Sequence, residues 1–232
     1  MLKLKTLATG SSGNCYLLSY NEQTLILDCG IPIKEIKKGL NFNVSNVVGV
    51  LCTHAHNDHC RSLLDFHKMG IRNVYAPTEV SNGVTNWKLG DFGITCFDLP
   101  HNGIPNYGFY IKIDGQKILY MTDFEYCKYS FKHFEVNHIL IECNYQQELV
   151  DRDLPNYEHK IRGHCSLNTC KGFIQVNKSD FLNTVLLLHM GAATCNPMEC
   201  VEQIQNIVGD NVYVDYAREG LEIELKKNAC PF

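Results

Sequence analysis

The chain has 232 residues, enough for one domain with a large core or for two small ones. Hydrophobic residues make up 45% and charged residues 20%, the balance of an ordinary globular protein, and no apolar run is long enough to span a membrane. The formal net charge of −4 argues against a protein that coats nucleic acid through bulk charge, but it allows a local basic groove and small anionic substrates.

Short apolar runs rich in β-branched residues alternate with turn signals along the chain. Leu2–Leu7 reads as a strand, followed by a tight turn over Gly10-Ser11-Ser12-Gly13-Asn14. Cys15–Tyr20 and Thr24–Leu27 read as a hairpin around Asn21-Glu22, and Ile33–Leu40 as a short helix. Val47–Cys52 is an apolar strand that ends just before a histidine cluster, and Cys60–Met69 reads as a helix stopped by Gly70. Strands follow at Val74–Ala76, Ile94–Leu99, Tyr107–Ile113 and Lys117–Met121, the last two joined by an Asp114-Gly115 hairpin turn. His138–Glu142 is another strand, and the polar stretch Tyr145–Gly163 reads as a helix followed by a loop. Ser166–Val176 is a predicted helix with Ser166 as its N-cap. Thr184–Leu188 reads as a buried strand, Pro197–Val208 as a helix, and Val212–Asp215 and Leu221–Leu225 as closing strands. Strands first, then strands alternating with helices, suggest two packed sheets with helices outside: an α/β protein of the αββα four-layer sandwich type.

The N-terminus, Met1-Leu2-Lys3-Leu4-Lys5, has neither the apolar core nor the cleavage site of a signal peptide, so the expected location is cytoplasmic. The twelve cysteines contain no CxxC pair, and Cys52, Cys96 and Cys143 lie inside apolar runs. They read as reduced thiols that pack as small hydrophobes.

His54-Ala55-His56-Asn57-Asp58-His59 puts three histidines and a carboxylate into six residues. Imidazole and carboxylate suit zinc, manganese or iron. An extended loop leaving a strand aims alternate side chains the same way, so His54 and His56 can grip one metal while Asp58 and His59 face a second. His101, Asp123 and His189 also stand just after apolar strands, where such a sandwich gathers ligands at one edge. His67, His133 and His138 read as structural, while His159 lies in a basic stretch with Lys160 and Arg162.

These motifs resemble the metallo-β-lactamase superfamily over nearly the whole length, which implies a single domain over residues 1–232 with the metallo-β-lactamase fold. The HxHxDH motif is His54, His56, Asp58 and His59, and Leu25-Ile26-Leu27-Asp28-Cys29-Gly30 is similar to the superfamily strand whose Asp supports the metal loop. The resemblance implies two divalent metal ions, zinc foremost and manganese as the other option. His54, His56 and His101 would hold one, Asp58, His59 and His189 the other, with Asp123 bridging. An aspartate at position 123, rather than a cysteine, looks unlike true β-lactamases and like the phosphodiesterase and glyoxalase II branches. Gly163-His164-Cys165-Ser166 and Leu140-Ile141-Glu142-Cys143-Asn144 resemble motifs of RNase Z and YycJ-like proteins, and Gly10–Leu18 is similar to the YycJ N-terminus.

The function so implied is hydrolysis of phosphodiester bonds by a metal-bridging hydroxide, as in a nuclease of the YycJ or RNase type. Asp58 would orient the hydroxide, His164 would protonate the leaving oxygen, and Glu142 would hold His164. Lys160 and Arg162 would contact the phosphate. A cyclic nucleotide phosphodiesterase, including phage-type enzymes that degrade immune signals, is the alternative. A glyoxalase II-like thioester hydrolase and a non-catalytic binding module are further ones. Partners are thus a phosphodiester substrate, nucleic acid or cyclic nucleotide, no membrane, and a second copy in a homodimer, as related phosphodiesterases often form. Two departures bear on substrate: Met190–Asn196 lacks the Ser and paired Asn usual after the last histidine, and the residues before Gly163 are rearranged.

Overall fold

Alternating apolar side chains dictate two sheets that share one core. The computed structural model describes residues 1–153, 155 and 157–227. The first sheet contains β1 (Leu2–Ala8), β2 (Cys15–Tyr20), β3 (Gln23–Leu27), β4 (Val47–Cys52), β5 (Asn73–Tyr75) and β13 (Glu222–Glu224), in the order β13-β1-β2-β3-β4-β5. The second contains β6 (Asn86–Leu89), β7 (Phe92–His101), β8 (Ile104–Ile113), β9 (Gln116–Met121), β10 (His138–Glu142), β11 (Thr184–Leu188) and β12 (Tyr213–Tyr216), in the order β12-β11-β10-β9-β8-β7-β6. Leu4, Leu18, Leu25 and Leu27 of the first sheet meet Phe109, Ile111, Tyr120, Leu140 and Leu186 of the second between the layers.

The intervening residues face outward and are buried too. Leu17, Ile26 and Val50 pack under α1 (Ile33–Gly39) and α3 (Leu63–Lys68) through Ile36 and Phe66. Leu119, Ile141, Val185 and Leu187 pack under α6 (Leu167–Asn177) and α7 (Pro197–Val208) through Phe173, Ile174 and Ile204. This is the expected αββα sandwich. Strands covered on both faces explain why Ile139–Ile141 of β10 and Val185–Leu188 of β11 are unbroken apolar runs.

Most predicted elements lie within a residue or two of the observed ones. Ser166 caps α6 as expected, its side chain accepting from Thr169 N. The helix predicted over Cys60–Met69 is instead two, α2 (Asn57–Cys60) and α3. They part at Arg61-Ser62 because Ser62 N donates to Cys29 O at 3.0 Å and Ser62 Oγ to Ile31 O at 2.6 Å, drawing this turn onto the first sheet. The helix-then-loop order expected for Tyr145–Gly163 is reversed. A short 3₁₀ turn covers Gln147–Leu149, and α5 (Tyr157–Gly163) comes last. Pro155 explains this, since it cannot continue a helix begun upstream; Leu154 and Asn156 lie outside the described residues. Ala76 opens a helix, α4 (Ala76–Ser81), with Pro77 in its first turn, rather than ending a strand. The edge strand β6 was not anticipated. The eleven cysteines among the described residues are all free, and Cys230 lies beyond them. Among the described residues no helix is long and apolar enough to cross a membrane.

Candidate metal centre

The strand directions bring the candidate ligands to one edge. β9, β10 and β11 run parallel, so Asp123, Glu142 and His189 leave their C-terminal ends side by side. β3 and β4 are also parallel, delivering Asp28 and His54. Asp28, Asp123 and His189, each one or two residues past a strand, have φ of 53°, 52° and 49°. These left-handed turns are uncommon for residues with a Cβ and cost on the order of 1 kcal/mol or more each. Here they swing each side chain back over the sheet edge.

Two donor sets form. His54, His56, His101 and Asp123 present ligand atoms all within 4.8 Å of one another, and so do Asp58, His59, Asp123 and His189. Asp123 belongs to both. In the first set His54 Nε2 and His101 Nε2 lie 3.0 and 3.2 Å from His56 Nδ1. The opposite nitrogens are committed. His101 Nδ1 donates to Gly163 O at 2.6 Å. His54 Nδ1 donates to Thr53 Oγ1 at 2.9 Å, whose hydroxyl donates on to Asp28. These bonds fix the tautomers and turn unprotonated nitrogens inward. Burial keeps the His54 and His101 pKa values below the usual histidine value, so they stay neutral.

The second set carries protons instead. Burial opposes charging His59, but Asp123 and Asp28 outweigh it and push its pKa well above the usual value. His189 behaves alike: burial opposes, Asp123, Asp58 and Glu142 prevail, and its pKa rises to about 10. Burial works against ionising Asp123, yet His189 and His59 hold its carboxyl well below the usual range. His189 Nε2 is buried without a hydrogen-bond partner. A buried polar atom left unpaired is costly, and a cation beside Asp58 and Asp123 would satisfy it by displacing the Nε2 proton. Converging imidazole nitrogens, shared carboxylate and orphaned His189 Nε2 fit divalent cations of the zinc or manganese type.

Beside these sets stands the second predicted pair. His164 Nδ1 donates to Glu142 Oε1 at 2.7 Å, and the His164 side chain remains 13% exposed, open to the cleft. Glu142 is fully buried and more heavily used than expected. Its Oε2 accepts from Phe124 N and Cys165 N, both at 3.0 Å, and its Oε1 also accepts from His189 Nδ1 at 3.0 Å. The His164 and His189 rings stack at 5.3 Å. Lys160 lies in α5 one turn before His164, which follows the helix directly and whose N donates to Lys160 O, and Lys160 Nζ donates to Asn144 Oδ1 at 2.9 Å. Arg162 is exposed, and what it brings to the site is its carbonyl, which accepts from Asn102 N. His159 is exposed at the rim, 3.0 Å from Asn102 Nδ2.

Three further side chains, Asn14, Tyr120 and Asn144, brace the site. Asn14 Nδ2 lies 3.0 Å from His59 Nε2, and Asn14 Oδ1 accepts from Gly10 N, so the glycine-rich turn serves the metal loop. Tyr120 OH donates to Asp28 Oδ2 at 2.6 Å. Asn144 Nδ2 donates to His189 O at 2.8 Å. The Gly10–Asn14 turn and the Leu140–Asn144 motif are signals for Asn14 and Asn144, while Tyr120 carries none.

Residues 8–81 match the family model described as metallo-beta-lactamase superfamily. Among curated proteins, the exodeoxyribonuclease YycJ of Bacillus anthracis is 24% identical over 172 residues, 64% of this chain and 65% of that protein. The match thus spans just under two thirds of this relative's length. Among solved structures, the metallo-beta-lactamase fold protein YhfI of Bacillus subtilis superposes with a TM-score of 0.72 at 16% identity, covering 96% of this chain and 98% of that one. The short form of human tRNase Z superposes at 0.62 and 15% identity, covering 97% and 99%. The chain thus has the fold of these structures, and the stretch of it that carries His54, His56, Asp58 and His59 is similar to the metallo-beta-lactamase superfamily.

Proposed function

We propose that the chain is a metal-dependent phosphodiesterase of single-domain organisation that holds two divalent ions, zinc by preference, and acts on nucleic acid as a nuclease. The observation that carries this reading is the Glu142–His164 pair beside two donor sets that share Asp123. A thioester hydrolase has no use for a positioned acid at the leaving group. A phosphodiester has, because its leaving alkoxide needs a proton.

His54, His56 and His101 would hold one cation, Asp58, His59 and His189 the other, and Asp123 both. Such ions supply Lewis acidity, drawing charge from the phosphoryl oxygens and acidifying water. Asp58, only a quarter exposed at its side chain, accepts a hydrogen bond from the attacking water and aims it. His164 Nε2 gives its proton to the departing oxygen, while Nδ1 stays on Glu142. Lys160, seated on Asn144 and Thr194, adds positive charge at the phosphate. Arg162 meets a longer substrate farther out on the exposed face of α5.

The YycJ relative supports a nucleic-acid substrate by its name. The net charge of −4 favours a second reading, a small cyclic nucleotide. A salt titration separates them: binding of single-stranded DNA by a nuclease falls steeply with salt, whereas a cyclic nucleotide gives a shallow slope. A screen of both substrate classes with metal-loaded protein tests the function itself. Turnover of neither class, with metals bound, rejects it.

A further inference from the structure

Four cysteines gather behind the site, on the α6–α7 side of the second sheet, and the proposed chemistry uses none of them. Cys143 follows Glu142 at the end of β10, Cys170 lies in α6, and Cys195 and Cys200 flank the start of α7. The sulfurs of Cys143, Cys195 and Cys200 lie within 4.8 Å of one another. Cys195 Sγ and Cys200 Sγ are 3.1 Å apart, closer than unbonded sulfurs ordinarily sit. Asn196 is the N-cap of α7 and Pro197 its first residue, so Cys195 and Cys200 occupy the flanking N′ and N4 positions. Apolar residues at these positions normally pack together as a staple that fixes the chain's entry into the helix. Here both staple residues carry thiols.

We propose that Cys195 and Cys200 form a reversible disulfide, a redox latch that locks the turn following His189 onto α7. The thiols of Cys143 and Cys195 beside Cys200 Sγ push its pKa down, favouring the thiolate that attacks. With a low-molecular-weight disulfide as oxidant, the Cys200 thiolate attacks one of its sulfurs and expels one thiolate. Cys195, giving up its proton, then attacks the Cys200 sulfur of the mixed disulfide and expels the second. Two protein thiols and one small disulfide thus become one protein disulfide and two small thiols, and the two protons leave on them.

A thiophilic metal on the same sulfurs is the competing possibility, and the surroundings disfavour it. Apart from Cys170, which lies against Cys143, the groups near these sulfurs are oxygens: Cys195 Sγ is 3.5 Å from Cys143 O and Cys200 Sγ 3.7 Å from Gln146 Oε1. Oxygen acceptors repel the buried negative charge of a thiolate cluster, whereas a disulfide is neutral and leaves them only weak bonds to lose. Cys195 is 7% exposed and Cys200 fully buried, so reaction awaits local opening of the turn, whose outer residues Ala192 and Ala193 are exposed.

The turn matters because it joins the site to α7. Gly191 N donates to Asn144 O, Gln146 N to Thr194 O, and Lys160 Nζ to Thr194 Oγ1. A closed latch holds Thr194, and through it the seat of Lys160. The latch does not depend on the phosphodiesterase reading.

The test is to incubate the reduced, metal-loaded protein with oxidised glutathione, alkylate it, and read its tryptic peptides by mass spectrometry. Cys195 and Cys200 share one peptide, because no Lys or Arg lies between Asp180 and Ala217, and Cys143 falls in another. The expected result is an unlabelled peptide lighter by two hydrogens, restored by dithiothreitol, and thermal unfolding a few degrees higher than in the reduced protein. Cys195→Ser should abolish both changes. Full labelling of both thiols, or a cross-link between Cys143 and Cys200, overturns the proposal. So does a reduced protein whose three thiols become labelled only after a chelator is added, which would show a sulfur-bound metal instead.

Discussion

His59 Nδ1 donates to Asp28 Oδ2 at 2.8 Å, joining two fully buried side chains, one in α2 and one just past the end of β3. Asp28 also accepts from Thr53 N at 2.9 Å, from Thr53 Oγ1 and from Tyr120 OH. One buried carboxylate thus sets the orientation of His59 directly and of His54 through Thr53. Asp28→Ala leaves these donors unpaired in the core. It should destabilise the protein by about 3–5 kcal/mol, read as a lower denaturant midpoint at unchanged m-value. Asp28→Asn keeps the shape but cannot accept every bond, so it should retain more stability than Asp28→Ala while binding metal more weakly. Equal metal affinity in Asp28→Asn and wild type would show that the carboxylate does not orient the ligands.

His164→Ala should reduce turnover by about 10²–10⁴-fold, the range expected for a lost general acid, with metal content unchanged. Glu142→Gln should behave differently. Glu142 bonds His189 as well as His164, so this variant should lose turnover and also hold the cation at the His189 side less tightly. Isothermal titration of metal into stripped protein separates the two effects.

His138, at the start of β10, is fully buried and far from the metal loop in sequence. Burial pushes its pKa down to about 3, and its Nε2 donates to Gln116 Oε1 at 2.8 Å. The native state therefore keeps the His138 ring neutral where the unfolded chain, near 6.5, takes up a charging proton. Stability contributed by the neutral ring is complete above that value and is lost as pH falls from about 6.5 toward 3, by up to about 1.4 kcal/mol per pH unit. His138→Asn keeps a donor without titrating in this range. Its stability should fall less steeply over the same window, measured by urea unfolding at a series of pH values. Parallel wild-type and variant curves would contradict this.

Removing the cations with a chelator should lower the melting temperature, because His189 Nε2 then lacks a partner and three ring nitrogens face one another. Adding zinc or manganese back should restore it. A melting temperature indifferent to both treatments would mean that the donor sets do not bind metal with useful affinity.

Much of the site was legible because its signals are local. The run His54–His59 follows an apolar strand directly, and His101, Asp123, Glu142 and His189 each stand at a strand's end. What stayed hidden depends on contacts between distant segments. Tyr120 reaches Asp28 from the opposite sheet, and nothing around Tyr120 distinguishes it from a core tyrosine. The break at Ser62 was invisible for the same reason, since the helical pattern runs through it and only the carbonyls of Cys29 and Ile31 pull it apart. Glu142 was expected to serve His164 alone. Its second bond, to His189, follows from the parallel pairing of β10 with β11.

The two-centre site with a separate acid is tested most directly by measuring metal content and hydrolysis of a single-stranded DNA oligonucleotide together, on wild type, Asp123→Ala and His164→Ala. The expected result is two metal equivalents per chain in wild type and His164→Ala, a clear deficit in Asp123→Ala, and turnover lowered by about 10²–10⁴-fold in His164→Ala despite its full metal content. A His164→Ala protein that loses its metals, or an Asp123→Ala protein that keeps both, would contradict the assignment.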